Sequence, residues 1–152
     1  MQKPTLRAMV VVVLAVTTLV AAQGFKVYPG AKKLVSPETK ESKEALASLP
    51  AGTEISSYLT NDSFDRVVAF YKGVGKESSF PFVKKNEKLP NGQEIKRTWF
   101  IFDGAEDIST STSWAMVQRP YIGSVEMKGT TPQYGDIRDV TAIVVQQTTP
   151  KK

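Results

Sequence analysis

Apolar residues recur at helical spacing in one segment of the chain, residues 60–75. They lie at i, i+3, i+4, i+7 and i+10, which draws one stripe along a helix. The members are Phe64, Val67, Val68, Tyr71 and Val74. Asp62 is the predicted N-cap, with Asp65 three residues later, and the glycines at 73 and 75 mark the end. We therefore predict an amphipathic helix that packs against a sheet.

Four other segments have the β-branched and aromatic composition of strands. They are residues 53–60, 94–103, 114–119 and 140–147. The second of them carries Trp99, Phe100 and Ile101 in succession, so it is apolar on both faces. A strand of that kind is covered on both sides, and we predict that residues 94–103 form a central strand.

A short polar helix is predicted before the first strand. Ser36-Pro37-Glu38 is a helix-start signature, with serine as the N-cap and proline at the first helical position. The helix should run to about Leu49, because Pro50 and Gly52 follow it.

Two long segments, residues 76–92 and 121–138, show no sustained hydrophobic period. Both contain glycine and proline at positions that favour turns. We predict that both are irregular, with weak strands at 82–85 and 124–128. An irregular segment on a rigid sheet commonly carries recognition, which makes 121–138 a candidate binding region.

The order of these elements predicts an α+β fold. We expect a single domain over residues 23–147, with an antiparallel-rich sheet of four to five strands. A main amphipathic helix is predicted to pack on one face of that sheet, and a short N-terminal helix precedes it. Residues 148–152 are predicted to form a polar tail.

The first 22 residues have the pattern of a secretory signal peptide. Lys3 and Arg7 precede an apolar run, and small residues end the segment at Ala22. The run is shorter than the ~20 residues that span a bilayer. We therefore expect cleavage, a periplasmic or secreted location and no stable membrane span afterwards. The alternative is an uncleaved N-terminus that anchors a structural component of the envelope.

The composition removes whole classes of chemistry. The 152 residues include no His and no Cys, which excludes Ser-His-Asp and Cys-His nucleophiles, thiol redox chemistry and the usual zinc, copper and haem ligand sets. We expect no cofactor, and the balance favours a non-enzymatic role. The formal net charge of +5 falls to +3 without the two basic residues of the first 22. So slight a charge on an exported chain does not predict nucleic-acid binding.

The strongest candidate binding site combines aromatic and cationic side chains. Its members are Arg97, Trp99, Trp114, Arg119 and Tyr121. Residues two apart on a strand share a face, so Arg97 and Trp99 are predicted to lie together. An open face of this kind would bind an anionic or ring-bearing ligand. The alternative is that both Trp residues are core and both Arg residues lie at its rim.

Three carboxylates within five residues form a second candidate. Asp103, Glu106 and Asp107 are the ligand type that a hard cation prefers. Their spacing lacks the alternating oxygens of an EF-hand loop, and a turn with a solvated start of a helix is the alternative. No metal site is predicted beyond this one.

These observations favour an exported non-enzymatic protein that binds a partner protein or a small envelope ligand. The alternative is an envelope hydrolase that works with carboxylates or a bound hard cation. On the binding hypothesis, Arg119→Ala or Tyr121→Ala should weaken partner binding and leave the fold intact.

Several blocks of sequence resemble a family of small exported bacterial proteins of unknown function. The blocks are YPGAK, T-x-DSF-x-x-VVAFYK, WFIFDGA, W-x-x-x-QRPYIG and RDVTAIV. The resemblance covers most of the chain after residue 22. It implies an envelope location and a compact α+β fold, and it implies no catalytic residues.

Overall fold

A computed structural model describes residues 24–36, 40–81, 83 and 87–149. The predicted signal peptide lies outside these ranges, and so does most of the predicted strand at 82–85. Within the described ranges, no helix is both long enough and apolar enough to cross a membrane.

The described residues form nine strands and two helices. The strands are β1 (Lys32–Lys33), β2 (Thr53–Thr60), β3 (Lys76–Ser78), β4 (Glu87–Lys88), β5 (Glu94–Ile101), β6 (Ser113–Arg119), β7 (Tyr121–Lys128), β8 (Thr131–Arg138) and β9 (Thr141–Thr148). The helices are α1 (Lys40–Ala47) and α2 (Phe64–Lys72). The four predicted strands are thus confirmed as β2, β5, β6 and β9.

The predicted fold class is wrong. Strands take 46% and helices 14% of the structure, so the protein is mostly β. The main sheet has seven strands, where four to five were predicted. The helix predicted as the main element is only nine residues long and fully buries only Val67 and Tyr71. Residues 121–138, predicted to be irregular apart from a weak strand at 124–128, form two full strands, β7 and β8. The short strands β1, β3 and β4 of the main sheet were not predicted either.

Seven strands form one antiparallel sheet. Their order is β1-β2-β9-β6-β5-β3, and β4 also pairs with β5. The longest strands occupy the middle, while the edges end in strands of two or three residues. The strands of the sheet are therefore long at its centre and short at its borders.

One face of this sheet carries the larger hydrophobic cluster. Alternate residues of β5, β6 and β9 point to the same side, and they pack with α2 and with the segment before β1. The buried members are Tyr28, Val67, Tyr71, Phe100, Phe102, Ala115, Val117, Ile143 and Val145. Tyr71 also donates a hydrogen bond of 3.0 Å from its hydroxyl to the carbonyl of Lys26, which fixes the lead-in segment over the core.

A smaller cluster lies on the opposite face. Trp99 and Ile101 of β5 pack there against Ile108 of the loop between β5 and β6. Trp114 and Met116 of β6 cover the same cluster from the side. The prediction of a strand with buried side chains on both faces is therefore confirmed for residues 94–101, but β5 lies beside the edge strands β3 and β4 and not at the centre of the sheet.

The start of α2 differs from the prediction. Ser63 is the N-cap, since its hydroxyl accepts a hydrogen bond from the backbone N–H of Arg66. Asp62 instead accepts hydrogen bonds from the Tyr28 hydroxyl, at 2.6 Å, and from the Arg66 guanidinium, at 3.2 Å. The carboxylate thus ties the lead-in segment to the helix. Gly73 is the C-cap, as predicted.

Strands β7 and β8 form a separate two-stranded sheet, which we call the arm (residues 121–138). The arm is inserted between β6 and β9, which are neighbours in the main sheet. Its strands pair in register from Tyr121 with Arg138 to Lys128 with Thr131. The connecting turn has two residues, and it begins with Gly129 at a φ of 64°, the conformation that such turns require.

Candidate functional site

The structure brings three of the five predicted binding residues to one face and separates the other two. Arg97 lies opposite Gln118 in the pairing of β5 with β6, while Arg119 lies opposite Lys96. Neighbouring positions on a strand point to opposite faces. Arg119 is therefore on the α2 side, away from Arg97, Trp99 and Trp114, and Tyr121 belongs to the arm.

The aromatic part of the predicted site lies inside the protein. Trp99 is 7% exposed and packs with Ile101 and Ile108. The Phe80 ring covers it further, with 5.9 Å between the ring centroids. Trp114 is half-buried beside the same cluster. These contacts give the Trp99 indole a packing role in the structure.

Arg97 is held in a polar network that reaches from the sheet to the arm. Its guanidinium donates to the carboxylate of Glu87 and to the side-chain carbonyl of Gln118, both at 2.5 Å. Gln118 in turn donates to the carbonyl of Pro120, at 3.0 Å. The Tyr134 hydroxyl of β8 donates to the second oxygen of Glu87, at 2.7 Å. The charge of Arg97 is thus compensated within the protein.

The same network fixes one point of the arm. The hydrogen bond to Glu87, together with desolvation, raises the pKa of Tyr134 above its usual value. The phenol therefore stays protonated, and remains a donor, throughout the physiological range. The part of β7 and β8 nearer the turn makes no comparable side-chain hydrogen bond to the main sheet among the described residues.

Arg119 joins the start of α2 to the start of β9. Its guanidinium donates to the carboxylate and the carbonyl of Asp139, at 3.0 and 2.9 Å. It also donates to the carbonyl of Asp62, at 3.1 Å, and to the Thr141 hydroxyl, at 3.3 Å. Thr141 itself donates to the same Asp62 carbonyl, at 2.7 Å. Arg119 therefore serves as a brace of the fold.

Tyr121 lies at the base of the arm. The Arg138 guanidinium stacks over its ring, 5.1 Å from the centroid. Arg138 also makes two hydrogen bonds to Asp136, of 2.9 and 2.7 Å. These bonds hold the pKa of Asp136 below its usual value. The three side chains form a polar cluster where the arm leaves the sheet, with Asp136 and Arg138 exposed and Tyr121 half-buried.

The three predicted carboxylates do not converge. Asp103 accepts hydrogen bonds from the backbone and hydroxyl of Thr112 and from the hydroxyl of Ser111, so it closes the loop between β5 and β6. Partial burial opposes its ionisation, but these hydrogen bonds prevail and lower its pKa. Asp107 accepts from Ser109 and Thr110 instead. Among the described residues, no group of three His, Cys, Asp or Glu side chains is placed to hold a metal ion.

A cleft of about 700 Å³ lies beside β5, between β3 and β4. Its apolar lining includes Phe64, Val68 and Phe80. Two of its charged groups have partners within the protein, since Glu77 pairs with Lys72 and Arg97 pairs with Glu87. Glu94 and Lys96 also line it, and neither forms an ion pair with another described residue. The cleft is of a size that holds small ligands.

The sequence analysis predicted only a weak strand at 124–128 in the arm and missed the paired two-stranded structure of residues 121–138. Every residue from 123 to 131 is exposed. Val125 and Met127 of β7 are 55% and 62% exposed, and Ile137 of β8 is 41% exposed. The signal was present as apolar residues at alternate positions on both sides of Gly129-Thr130. The glycines within both segments concealed this alternation.

Comparison of the chain with protein families, with curated proteins and with solved structures gave no match. Any assignment of function therefore rests on the residues and contacts described above.

Proposed function

We propose that this is an exported, non-enzymatic protein that binds a partner protein through the arm, by adding a strand of the partner to β7. One observation carries the proposal. The arm has two strands of eight residues that pair only with each other among the described residues, and most of their side chains are exposed.

The main sheet makes a poor docking edge. It ends in β1 on one side and in β3 and β4 on the other, and these strands have two, three and two residues. Very short edge strands are one way in which proteins prevent unwanted strand pairing. A partner strand would find few backbone groups to pair with at either border.

The arm offers a much longer edge. A two-stranded hairpin alone is only marginally stable in water, and a third strand or a packed face is usually needed. The exposed region 123–131 has no such cover among the described residues. A partner strand would supply it, with backbone hydrogen bonds giving affinity and alternate side chains giving specificity.

Of the two edges of the arm, β7 is the better one. Strand β8 contains Pro132, which has no N–H to donate, and Asp136, whose φ of 47° interrupts the extended backbone. Strand β7 has neither defect. Its partner would be an extended segment with apolar side chains near Val125 and Met127 and with charges that complement Glu126 and Lys128.

The exported location and the non-enzymatic role rest on the sequence. The basic and apolar pattern of the first 22 residues supports export. The lack of His and Cys removes two of the commonest catalytic side chains.

Site-specific photo-crosslinking in the cells that make the protein tests the proposal. A photoreactive residue replaces Val125 in one variant and Leu46 of α1, which is also exposed, in the control. We expect one discrete protein adduct from position 125, lost when Met127→Asp is added, and none of that mass from position 46. The same adducts from both positions, or no adduct from position 125, would contradict a binding role for the arm.

A further inference from the structure

A pocket of about 330 Å³ lies beside the base of the arm, and the proposed function does not use it. We call it the border pocket, and its described lining residues are 30, 32–34, 59–61, 138 and 140. We infer that the border pocket binds a phosphate monoester, with Lys32 and Arg138 as the main contacts. The inference goes beyond the proposed function, because no described residue of β7 lines the pocket.

The charged side chains that line the border pocket are all cationic. They belong to Lys32, Lys33 and Arg138, and none of the described Asp and Glu residues lines it. The cleft beside β5 differs, since two carboxylates and two cations line that cleft together. A site lined by one sign of charge attracts the opposite sign. The border pocket therefore favours an anion, whereas the cleft has no such preference.

The acids nearest in sequence to the lining residues do not cancel this charge. Three carboxylates lie within two residues of the lining, and each is paired with an arginine. The pairs are Asp62 with Arg66, Asp136 with Arg138 and Asp139 with Arg119. Neither Lys32 nor Lys33 forms an ion pair with another described residue. Two positive charges thus remain uncompensated at the pocket.

Lys32 is the better placed of the two lysines. It lies opposite Leu59 in the pairing of β1 with β2, and opposed residues of paired strands share a face. Leu59 also lines the pocket, so the Lys32 side chain leaves its strand on the pocket side. Lys33 leaves on the other side. It lines the pocket at the border of the sheet, where its long flexible stem can bring the ammonium group to a ligand.

Arg138 is held in position and keeps donors for a ligand. Its Nε and Nη2 donate to Asp136, at 2.9 and 2.7 Å, and its guanidinium stacks over the Tyr121 ring. Its Nη1 makes no hydrogen bond to another described residue. An arginine that is already fixed loses little conformational freedom when it binds. The two hydrogens on Nη1 are therefore well placed to bind phosphate oxygens.

Two uncharged side chains at the end of β2 add hydrogen-bond donors. The Thr60 hydroxyl accepts from the backbone N–H of Asp62, at 3.2 Å, which leaves its own hydrogen available. The amide of Asn61 is exposed and makes no hydrogen bond to another described residue. Both residues line the border pocket. The cations are thus accompanied by neutral donors, a combination that suits an anion with several oxygens.

The charge and the size of the pocket identify the class of anion. A phosphate monoester carries about −1.5 to −2 charges near pH 7 and has three strong acceptor oxygens, which matches the two uncompensated lysines. A carboxylate or a phosphodiester carries a single negative charge. Leu34, Leu59 and Val140 are half-buried and also line the pocket, so the group esterified to the phosphate should be apolar. It should also be small, because the volume is at the lower end for ligand sites.

An NMR titration of the nitrogen-15-labelled protein with butyl phosphate tests the inference. The variants are Lys32→Gln and Arg138→Gln. The control is Lys88→Gln, which removes an exposed lysine from β4, a two-residue strand at the other border of the sheet. We expect the largest shift changes at the backbone amides of residues 32, 61 and 138. The control should bind like the wild type, and each variant at least about tenfold more weakly, because it loses a charged hydrogen-bond donor.

Two further probes define the ligand. Dibutyl phosphate and butyrate carry one charge each, so both should bind at least about tenfold more weakly than butyl phosphate. Vesicles that contain phosphatidic acid, a lipid with a phosphate monoester, identify the source of the phosphate. Wild-type protein that sediments with them, when Lys32→Gln does not, assigns the site to a lipid headgroup. Binding of butyl phosphate without sedimentation assigns it to a soluble ester.

Three results would overturn the inference. The first is a wild-type chain that binds neither butyl phosphate nor the vesicles. The second is binding that Lys32→Gln and Arg138→Gln leave unchanged, or whose largest shift changes lie elsewhere in the chain. The third is butyrate that binds as tightly as butyl phosphate, which would contradict a site for two charges. Crosslinking from position 125 judges the proposed function separately, because the border pocket and β7 share no described residue.

Discussion

The main sheet and the arm are built from strands of the same length and have opposite surroundings. Strand β9 of the sheet and strand β7 of the arm each have eight residues. Four of the first five residues of β9 are buried, while the last six of β7 are all exposed. Each long strand of the main sheet pairs with a strand on both sides, and the borders of the sheet are short strands. In the arm, the two long strands are themselves the edges.

This difference separates stability from recognition. Burial of apolar area is the dominant favourable term in folding, and the described residues place nearly all of it on the two faces of the main sheet. The arm adds little to that core. Its strands pair with each other and bury little of their surface in the core. Their outer backbone groups and side chains therefore remain available to another chain.

The largest effect should come from the centre of the sheet. Phe100 is fully buried against Tyr71 of α2. We expect Phe100→Ala to lower the free energy of unfolding by about 3–5 kcal/mol, because it removes a large side chain from a packed core. Urea titration measures the loss. A loss in the free energy of unfolding as small as that of a surface substitution would contradict the placement of Phe100 in the core.

A smaller loss is expected at the brace between α2 and β9. Arg119→Ala removes four hydrogen bonds and leaves the Asp62 carbonyl with fewer donors, so we expect a loss of about 1–3 kcal/mol. This revises the expectation that the variant leaves the fold intact. Arg138→Ala is the matched control in the arm, and its effect on urea unfolding should be much smaller. Equal losses would show that the arm unfolds together with the sheet.

The acid response should distinguish the two regions next. Hydrogen bonds lower the folded-state pKa of Asp103 below its ordinary value of 3.8. A carboxylate of this kind stabilises the fold above the unfolded-state pKa, and the stabilisation is lost as the pH falls through the folded-state pKa. In urea titrations near pH 7 and about pH 3, Asp103→Asn should therefore lose less stability on acidification than the wild type.

Asp136→Asn is the control for that experiment. The pKa of Asp136 is also lowered, through its bonds to Arg138, but the pair is exposed on the arm. We expect its acid response to stay close to that of the wild type. A stronger dependence on Asp136 than on Asp103 would assign the arm to the stable part of the fold.

The smallest effect is expected on the exposed arm itself. Val125→Ser changes a side chain that is 55% exposed and should alter the free energy of unfolding by no more than about 0.5 kcal/mol. The same variant should weaken binding at β7, which crosslinking from position 127 measures. A large loss of stability with unchanged binding would reverse the roles of the two regions.

The sequence predicted the sheet better than the arm for a physical reason. Segments such as 94–101 have continuous apolar runs because both faces are buried, and that pattern is hard to mistake. In the arm, Gly123 and Gly135 interrupt the alternation of apolar and polar residues. Each glycine lies so close to a side chain of the facing strand that a larger residue would not fit there without displacing it. Exposed strands bury little, so their sequences carry a weaker signal.

The candidate site was harder to predict than the strands. The sequence correctly placed Arg97 and Trp99 on one face, but it does not reveal that the loop from β5 to β6 covers this face with Ile108. It also does not reveal that Arg119 reaches the carbonyl of Asp62, 57 residues away in the chain. Such contacts depend on the tertiary fold, which local patterns do not encode.

Removal of the arm is the most direct test of the account. Residues 122–137 are replaced by an Asn-Gly turn that joins Tyr121 to Arg138, which already face each other. Glu87 keeps its bond to Arg97 and loses only the Tyr134 hydroxyl. We predict one cooperative thermal transition at close to the wild-type midpoint. A variant without a cooperative transition, or one whose midpoint lies far below that of the wild type, would contradict the separation of fold and recognition.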